Sequence, residues 1–289
     1  MKENLARCWT HTEAEKMSFE TQKKNLDTEN QYLKYFIDWG TFGKADAKTG
    51  FYAIAAIALN LCVKLCKVLG EDELIVECCY KIDVIWDFDL PLTNDRQVSA
   101  LQVLARIKDA TEINEAILCK EPVADITSYL GYYVLLAKGM AGDVSGALDI
   151  IRKYWGRMIE LGATTFWEFF DYPSSFDAAP IDEIVPQGKK DIHGDFGKDC
   201  YEGLRCSLCH GWACGPTPFI SRYVLGVEVL EPGCRKLRIK PELGNLKWIR
   251  GTYPTPYGIV KIYAETIDGG VKVDIEYPDE ITIVTDEPL

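Results

Sequence analysis

The stretch Gly50–Leu69, GFYAIAAIALNLCVKLCKVL, followed after Gly70 by Glu71–Phe88, EDELIVECCYKIDVIWDF, decides the fold class. The first run is rich in Ala, Leu and Ile, too long for a typical strand, and ends on a glycine suited to a helix C-cap. The second opens on acids, which favour a helix N-terminus. Together they predict an αα-hairpin. Downstream the pattern continues. Asp95–Ile107, with Asn94 as N-cap, and Ala110–Leu118 form a second pair; Ser128–Lys138 and Asp143–Glu160, joined through Gly139 and Gly142, form a third. Six helices without intervening strands predict part of an all-helical toroid, and the lack of a fixed period argues against a short-repeat array.

Upstream, residues 1–30 are polar with no clean apolar face, and the first strongly apolar segment is Tyr32–Trp39, YLKYFIDW, with Asp38 among aromatics. An aromatic helix end packed on a neighbour and a cleft lining fit that segment equally. Beyond Gly226 the pattern changes to strands: Cys234–Lys240, Leu246–Arg250, Ile259–Thr266, Val271–Tyr277 and Ile281–Val284, with Asp268-Gly269-Gly270 as the clearest hairpin turn. The expected organisation is a partial (α/α)6 helical domain over residues 1–226 and a small antiparallel β-sandwich over 227–289, mostly α followed by all-β.

The chain of 289 residues carries a formal net charge of -12, with 47% hydrophobic and 26% charged residues. This balance disfavours nucleic acid and anionic membrane as partners and suits a neutral ligand. The longest apolar run, Phe51–Val63, falls short of a bilayer span, and the first residues do not read as a signal peptide. Eleven cysteines, several at helical core positions such as Cys62, Cys66, Cys78 and Cys79, fit a reducing compartment, so a cytoplasmic location is expected. Cys206 and Cys209 with His210 lack the paired knuckles of a zinc site, and His193 between Asp191 and Asp195 lacks a convincing third ligand. No metal or cofactor is expected, and no phosphate-binding loop or nucleophile elbow is present.

Chemistry concentrates in Leu161–Asp171, LGATTFWEFFD, where Glu168 lies between bulky aromatics. Apolar walls raise a carboxyl pKa and hydrogen-bond donors lower it, so acid and base duty are both conceivable. A competing reading pairs Glu168 with Arg157 as a loop anchor. Ser207–Gly226, SLCHGWACGPTPFISRYVLG, supplies His210 to donate to a sugar hydroxyl and Trp212 to stack on a sugar face; a core Trp and a carbonyl-bonded His explain them equally well. Pro216 and Pro218 place the start of the following helix near them. Asp38, Asp171, Asp191 and Asp195 are further candidates for hydroxyl recognition.

The segments GATTFWEFFD, DIHGDFG, RCSLCHGWACGPTPFISRYVLGVEVLEPG and WIRGTYPTPYGIVKI, in that order, resemble the C-terminal half of bacterial α-L-rhamnosidases of glycoside hydrolase family 78, within the six-hairpin glycosidases. The resemblance extends from about residue 32 onward. It implies an (α/α)6 toroid followed by a β-sandwich-type domain, and an inverting hydrolysis of terminal α-L-rhamnosyl residues. In such a reaction an acid protonates the leaving oxygen and a base about 6.5–9.5 Å away activates water. By this resemblance Glu168 of the Trp167-Glu168 pair is the general base, His210 matches the family's histidine and Trp212 lines the sugar pocket; Trp167, Asp38 and Trp39 are taken as further substrate-binding candidates. The family's general acid lies in an acidic, arginine-containing motif with no counterpart here. The chain is therefore expected to be a C-terminal portion, inactive alone, with the toroid completed by an upstream polypeptide or a homo-oligomer. The alternatives are a related six-hairpin glycosidase with another sugar preference and a non-catalytic carbohydrate-binding remnant.

Overall fold

The computed structural model describes residues 35–38, 46–121, 123, 125–192 and 206–285. Trp39, His193 and Asp195 lie outside the described residues.

Helix α1 (Ala47–Leu69) ends where Gly70 turns left-handed at φ 71°, its N–H returning to the Cys66 carbonyl. Helix α2 (Asp72–Trp86) begins with Asp72 and Glu73 and folds back on α1 as the antiparallel partner. Tyr52, Ala53, Ala56 and Leu59 of α1 and Ile82 and Ile85 of α2 share a core with Leu101 and Leu130. The outer face keeps apolar residues in water: Leu61, Val68, Val76 and Tyr80 are all exposed. At 23 residues α1 is long and apolar enough to cross a membrane by length and composition, which corrects the expectation from the shorter run Phe51–Val63. Of the cysteines expected to fill this core, Cys66 does so, whereas Cys79 is exposed.

Helix α3 (Arg96–Leu104) is capped by Asp95, one residue later than the sequence suggested. The Asp95 carboxylate accepts from the N–H groups of Gln97 and Val98, leaving Asn94 outside. Helix α4 (Ala110–Ile113) runs into a π turn, Asn114–Leu118. Helix α5 (Gly131–Met140) packs on α3 and on α6 (Val144–Ile150). A second π turn, Ile151–Trp155, joins α6 to α7 (Gly156–Glu160). Its Tyr154 and Trp155 enter the largest core cluster, together with Val134, Leu135, Trp167 and Phe219. After a single turn at Gly211–Ala213, the short α8 begins at the prolines as expected (Pro216–Phe219) and runs into a third π turn, Ile220–Val224. Glycines and two prolines prevent a longer start.

Two three-stranded sheets follow. Strand β1 (Val227–Val229), not anticipated from the sequence, pairs antiparallel with β2 (Lys236–Ile239), which pairs parallel with β6 (Thr282–Val284). Strands β3 (Trp248–Thr255), β4 (Gly258–Ile267) and β5 (Gly270–Glu276) form an antiparallel meander. Leu237 and Ile239 from one sheet meet Val260 and Ile262 from the other, so the region is a small sandwich with its own core. At the join, Gly226 adopts φ 70°, and a Cβ there would lie 1.9 Å from the Lys240 carbonyl oxygen. Only glycine fits this closure.

Buried charge fixes the α5–α6 turn. Lys138, 1% exposed, contacts Asp143 at 2.6 Å and donates to the Asn114 side-chain oxygen at 2.9 Å. Asp143 also caps α6 by accepting from the Gly146 N–H at 2.8 Å. Burial pushes the Asp143 carboxyl up, but hydrogen bonds from Lys138, Gly146 and Asn114 and the Lys138 charge outweigh it and bring it down to about 2. A carboxyl held below its unfolded value adds stability above that value and loses it on acidification. At about 1.4 kcal/mol per pH unit of displacement, the effect is on the order of 2 kcal/mol, lost as pH falls from about 4 to about 2. Denaturant titrations across that window should show this loss in the wild type and its absence in Asp143→Asn. At neutral pH, Asp143→Ala should cost about 3–5 kcal/mol by stranding Lys138, and Lys138→Met distinctly less.

Candidate active site

The loop Leu161–Asp171 has no regular secondary structure, yet its backbone is held by a second loop. The Glu168 N–H donates to the Ser207 carbonyl at 2.8 Å, and the His210 N–H donates to the Phe166 carbonyl at 2.8 Å. The Thr165 hydroxyl adds a bond to the Leu208 carbonyl. The two segments therefore run side by side like a short irregular ribbon, which brings Glu168, His210 and Trp212 together.

Two adjacent residues of the π turn, Tyr154 and Trp155, tie each loop to the helices. Tyr154 donates its hydroxyl to the Phe170 carbonyl at 2.7 Å, and Trp155 donates its indole N–H to the Ala213 carbonyl at 3.0 Å. Full burial, with the charges of Asp171 and Asp38 adding to it, raises the Tyr154 phenol well above its ordinary pKa, so it remains a donor. Gly131 at the start of α5 leaves room for the Trp155 ring, which a Cβ would approach to 3.1 Å.

Around Glu168 the polar groups are specific. The Ser207 N–H donates to Glu168 Oε2 at 2.9 Å, and His210 Nδ1 stands 3.7 Å from the same oxygen. Among the described residues Oε1 has no hydrogen-bond partner, so one oxygen is anchored and the other is open. The Glu168 carbonyl accepts from the buried Ser128 hydroxyl and from the Trp212 indole N–H, the latter at 3.3 Å. The His210 ring lies 4.6 Å from the Trp212 ring, and Tyr129 stacks on Trp212 at 5.2 Å and 28°. Trp212 is 39% exposed, leaving part of its surface to a ligand.

Not every sequence candidate joins this group. Trp167 is fully buried against Phe170 in the core and its indole nitrogen has no hydrogen-bond partner among the described residues, so it packs the loop and presents no surface to a ligand. The suggested Glu168–Arg157 anchor does not form, because Arg157 pairs with Glu160 at 2.8 Å and bonds the Ser175 carbonyl at 2.9 Å. Asp171 accepts from Ser174 at 2.8 Å and closes the turn Pro173–Asp177. Asp38 is buried, with its charge acting on Tyr154. Sequence reading missed Ser128, Tyr129 and the Ser207 N–H, because nothing local in these residues reports that the loops meet.

These contacts make Ser128 a sensitive position. Ser128→Ala should destabilise the fold by about 1–2 kcal/mol, the usual cost of removing one partner of a buried hydrogen bond. It should also shift the Trp212 fluorescence as the Glu168 carbonyl loses its second donor. A urea titration with tryptophan emission checks both.

Comparison with known proteins gives two unrelated signals. Residues 226–285 match the family model described as bacterial alpha-L-rhamnosidase C-terminal domain. The fold is shared with three bacterial structures. The GH78 family rhamnosidase of Bacillus sp. GL1 superposes with TM-score 0.63 and 21% identity, covering 82% of this chain and 26% of that one. The α-L-rhamnosidase of Dictyoglumus thermophilum gives 0.63 and 19%, covering 92% of this chain and 30% of that one. The Streptomyces avermitilis α-L-rhamnosidase, complexed with L-rhamnose, gives 0.61 and 16%, covering 83% of this chain and 23% of that one. Separately, 38 residues, 13% of this chain, are 76% identical to cell cycle progression protein 1 of Homo sapiens and 66% identical to that of Mus musculus. The chain spans only 5% of the length of these curated relatives.

Proposed function

With the helical and sandwich parts of this chain resembling the C-terminal part of glycoside hydrolase family 78 α-L-rhamnosidases, we propose that it carries the base side of an inverting rhamnosidase site. The observation that supports this most is the half-anchored Glu168. Ser207 fixes Oε2 and leaves Oε1 open, an arrangement that suits a carboxylate removing a proton from water. In this reading water lies between Oε1 and the anomeric carbon. Glu168 takes its proton as the C–O bond to the leaving group breaks, and the new bond forms on the opposite face of the sugar. His210 donates to a ring hydroxyl, and Trp212, backed by Tyr129, covers the apolar face of the pyranose. Trp167 has a different part: it holds the loop from within the core. The acid that protonates the leaving oxygen comes from upstream of these residues or from a further chain that completes the toroid, and rhamnosylated glycosides are the substrate class. A cytoplasmic location accords with the cysteine usage.

Titration of the purified chain with L-rhamnose, followed by tryptophan emission, should give a saturable change. Trp212→Ala should weaken it about tenfold, in line with the loss of roughly 1–2 kcal/mol of stacking. An aryl α-L-rhamnoside should not be cleaved by the chain alone. Turnover unaffected by Glu168→Gln would reject Glu168 as base; turnover abolished by it would place the acid within this chain, with Asp38 and Asp191 the first residues to test.

A further inference from the structure

A second polar surface lies on the sandwich, on the face of β3–β4–β5 turned away from its core. Register assigns that face without ambiguity. Trp248 is opposite Glu265, Arg250 opposite Tyr263 and Thr252 opposite Lys261. On the other side of β4, Lys261 is opposite Glu276, Tyr263 opposite Asp274 and Glu265 opposite Lys272. The intervening residues, among them Val260, Ile262 and Ala264, are buried beneath.

The face is built around an aromatic pair. Trp248 is 58% exposed, and its ring lies 6.5 Å from Tyr263 at 29°. The Tyr263 hydroxyl donates to Glu265 at 3.0 Å, which pins the phenol ring in place. Beside the pair is an open cavity of about 480 Å³ lined by Arg250, Thr252, Lys261, Tyr263, Asp274 and Glu276. This volume falls in the range of small-molecule sites, about 300–1,000 Å³.

The charges indicate what would fit. Three basic residues, Arg250, Lys261 and Lys272, share the face with three acidic ones, Glu265, Asp274 and Glu276. Lys261 pairs with Glu276 at 2.8 Å, and Lys272 lies 3.4 Å from both Glu265 and Asp274. Arg250 has no hydrogen-bond or ion-pair partner among the described residues, so its guanidinium donors face the cavity unused. A surface with equal numbers of each sign does not attract a polyanion or polycation, and the chain's net charge of -12 further disfavours an anionic ligand. Aromatic rings for apolar C–H faces, with donors and acceptors at their edge, match the alternating chemistry of a sugar ring.

We propose that this face binds a neutral oligosaccharide, one ring stacking on Trp248 and the next reaching Arg250 and Thr252. The site is separate from Glu168 and its binding does not depend on the role given to that residue. It would hold a glycan chain on the sandwich, independently of any cleavage.

An array of neutral and acidic oligosaccharides, probed with the intact chain and its variants, tests this. The wild type should be retained on at least one neutral oligosaccharide. Trp248→Ala and Arg250→Ala should each lower that affinity at least tenfold, Trp248→Tyr should restore most of it, and Trp212→Ala should leave it unchanged. Thermal unfolding checks each variant; Arg250→Ala keeps the test valid if loss of Trp248 perturbs the sheet. Retention lost in Trp212→Ala but kept in Trp248→Ala would overturn the proposal and assign the sugar to the Glu168 pocket. Failure to bind any neutral oligosaccharide, or retention on acidic ones alone, would overturn it as well.

Discussion

The site depends on two neighbouring side chains in one irregular helical turn. Tyr154 and Trp155 are consecutive, both buried, and each donates to a different loop, Tyr154 to the Phe170 carbonyl and Trp155 to the Ala213 carbonyl. Neither loop carries enough secondary structure to hold itself. Buried carbonyls need partners, and an indole or phenol that meets this need also contributes its apolar ring to the core. The π turn Ile151–Trp155 lets two adjacent residues serve separate loops while α6 and α7 continue on either side.

The consequence reaches Glu168 through the backbone. With both loops tied to the same turn, their edges pair, and the Ser207 N–H falls on one carboxylate oxygen. The aromatic series His210, Trp212 and Tyr129 then lines up on one side, with Trp212 also holding the Glu168 carbonyl. Trp167 acts from the opposite direction. It buries its ring completely, so rotating Glu168 out of place would require withdrawing an indole from the core.

Helical hairpins and the later strands are legible in the sequence because periodicity and punctuation agree: Gly70 ends α1 and Asp268-Gly269-Gly270 turns β4 into β5. The irregular parts follow another logic. The cap of α3 falls on Asp95 because only its carboxylate reaches the Gln97 and Val98 N–H groups, although Asn94 has the same local credentials. The helix after Ser207 starts at Pro216, where the sequence placed it, because proline is tolerated in the first turn of a helix and not in its interior. At the site, local composition singles out Glu168, His210 and Trp212 but not Ser128 or Tyr129, whose roles come from a fold that brings residue 128 against residue 168. The aromatic neighbours of Glu168 look alike in the sequence, and only packing separates the buried Trp167 from the exposed Trp212.

The central claim is that Glu168 has one anchored oxygen and one open to water beside a sugar. A crystal structure of this chain with bound L-rhamnose tests it most directly. The account predicts a pyranose ring over Trp212, with the anomeric hydroxyl or a water within about 2.6–3.2 Å of Glu168 Oε1 and the Ser207 N–H still on Oε2. Rhamnose bound elsewhere with Oε1 engaged by protein groups, or Glu168 turned away from the sugar, would contradict it.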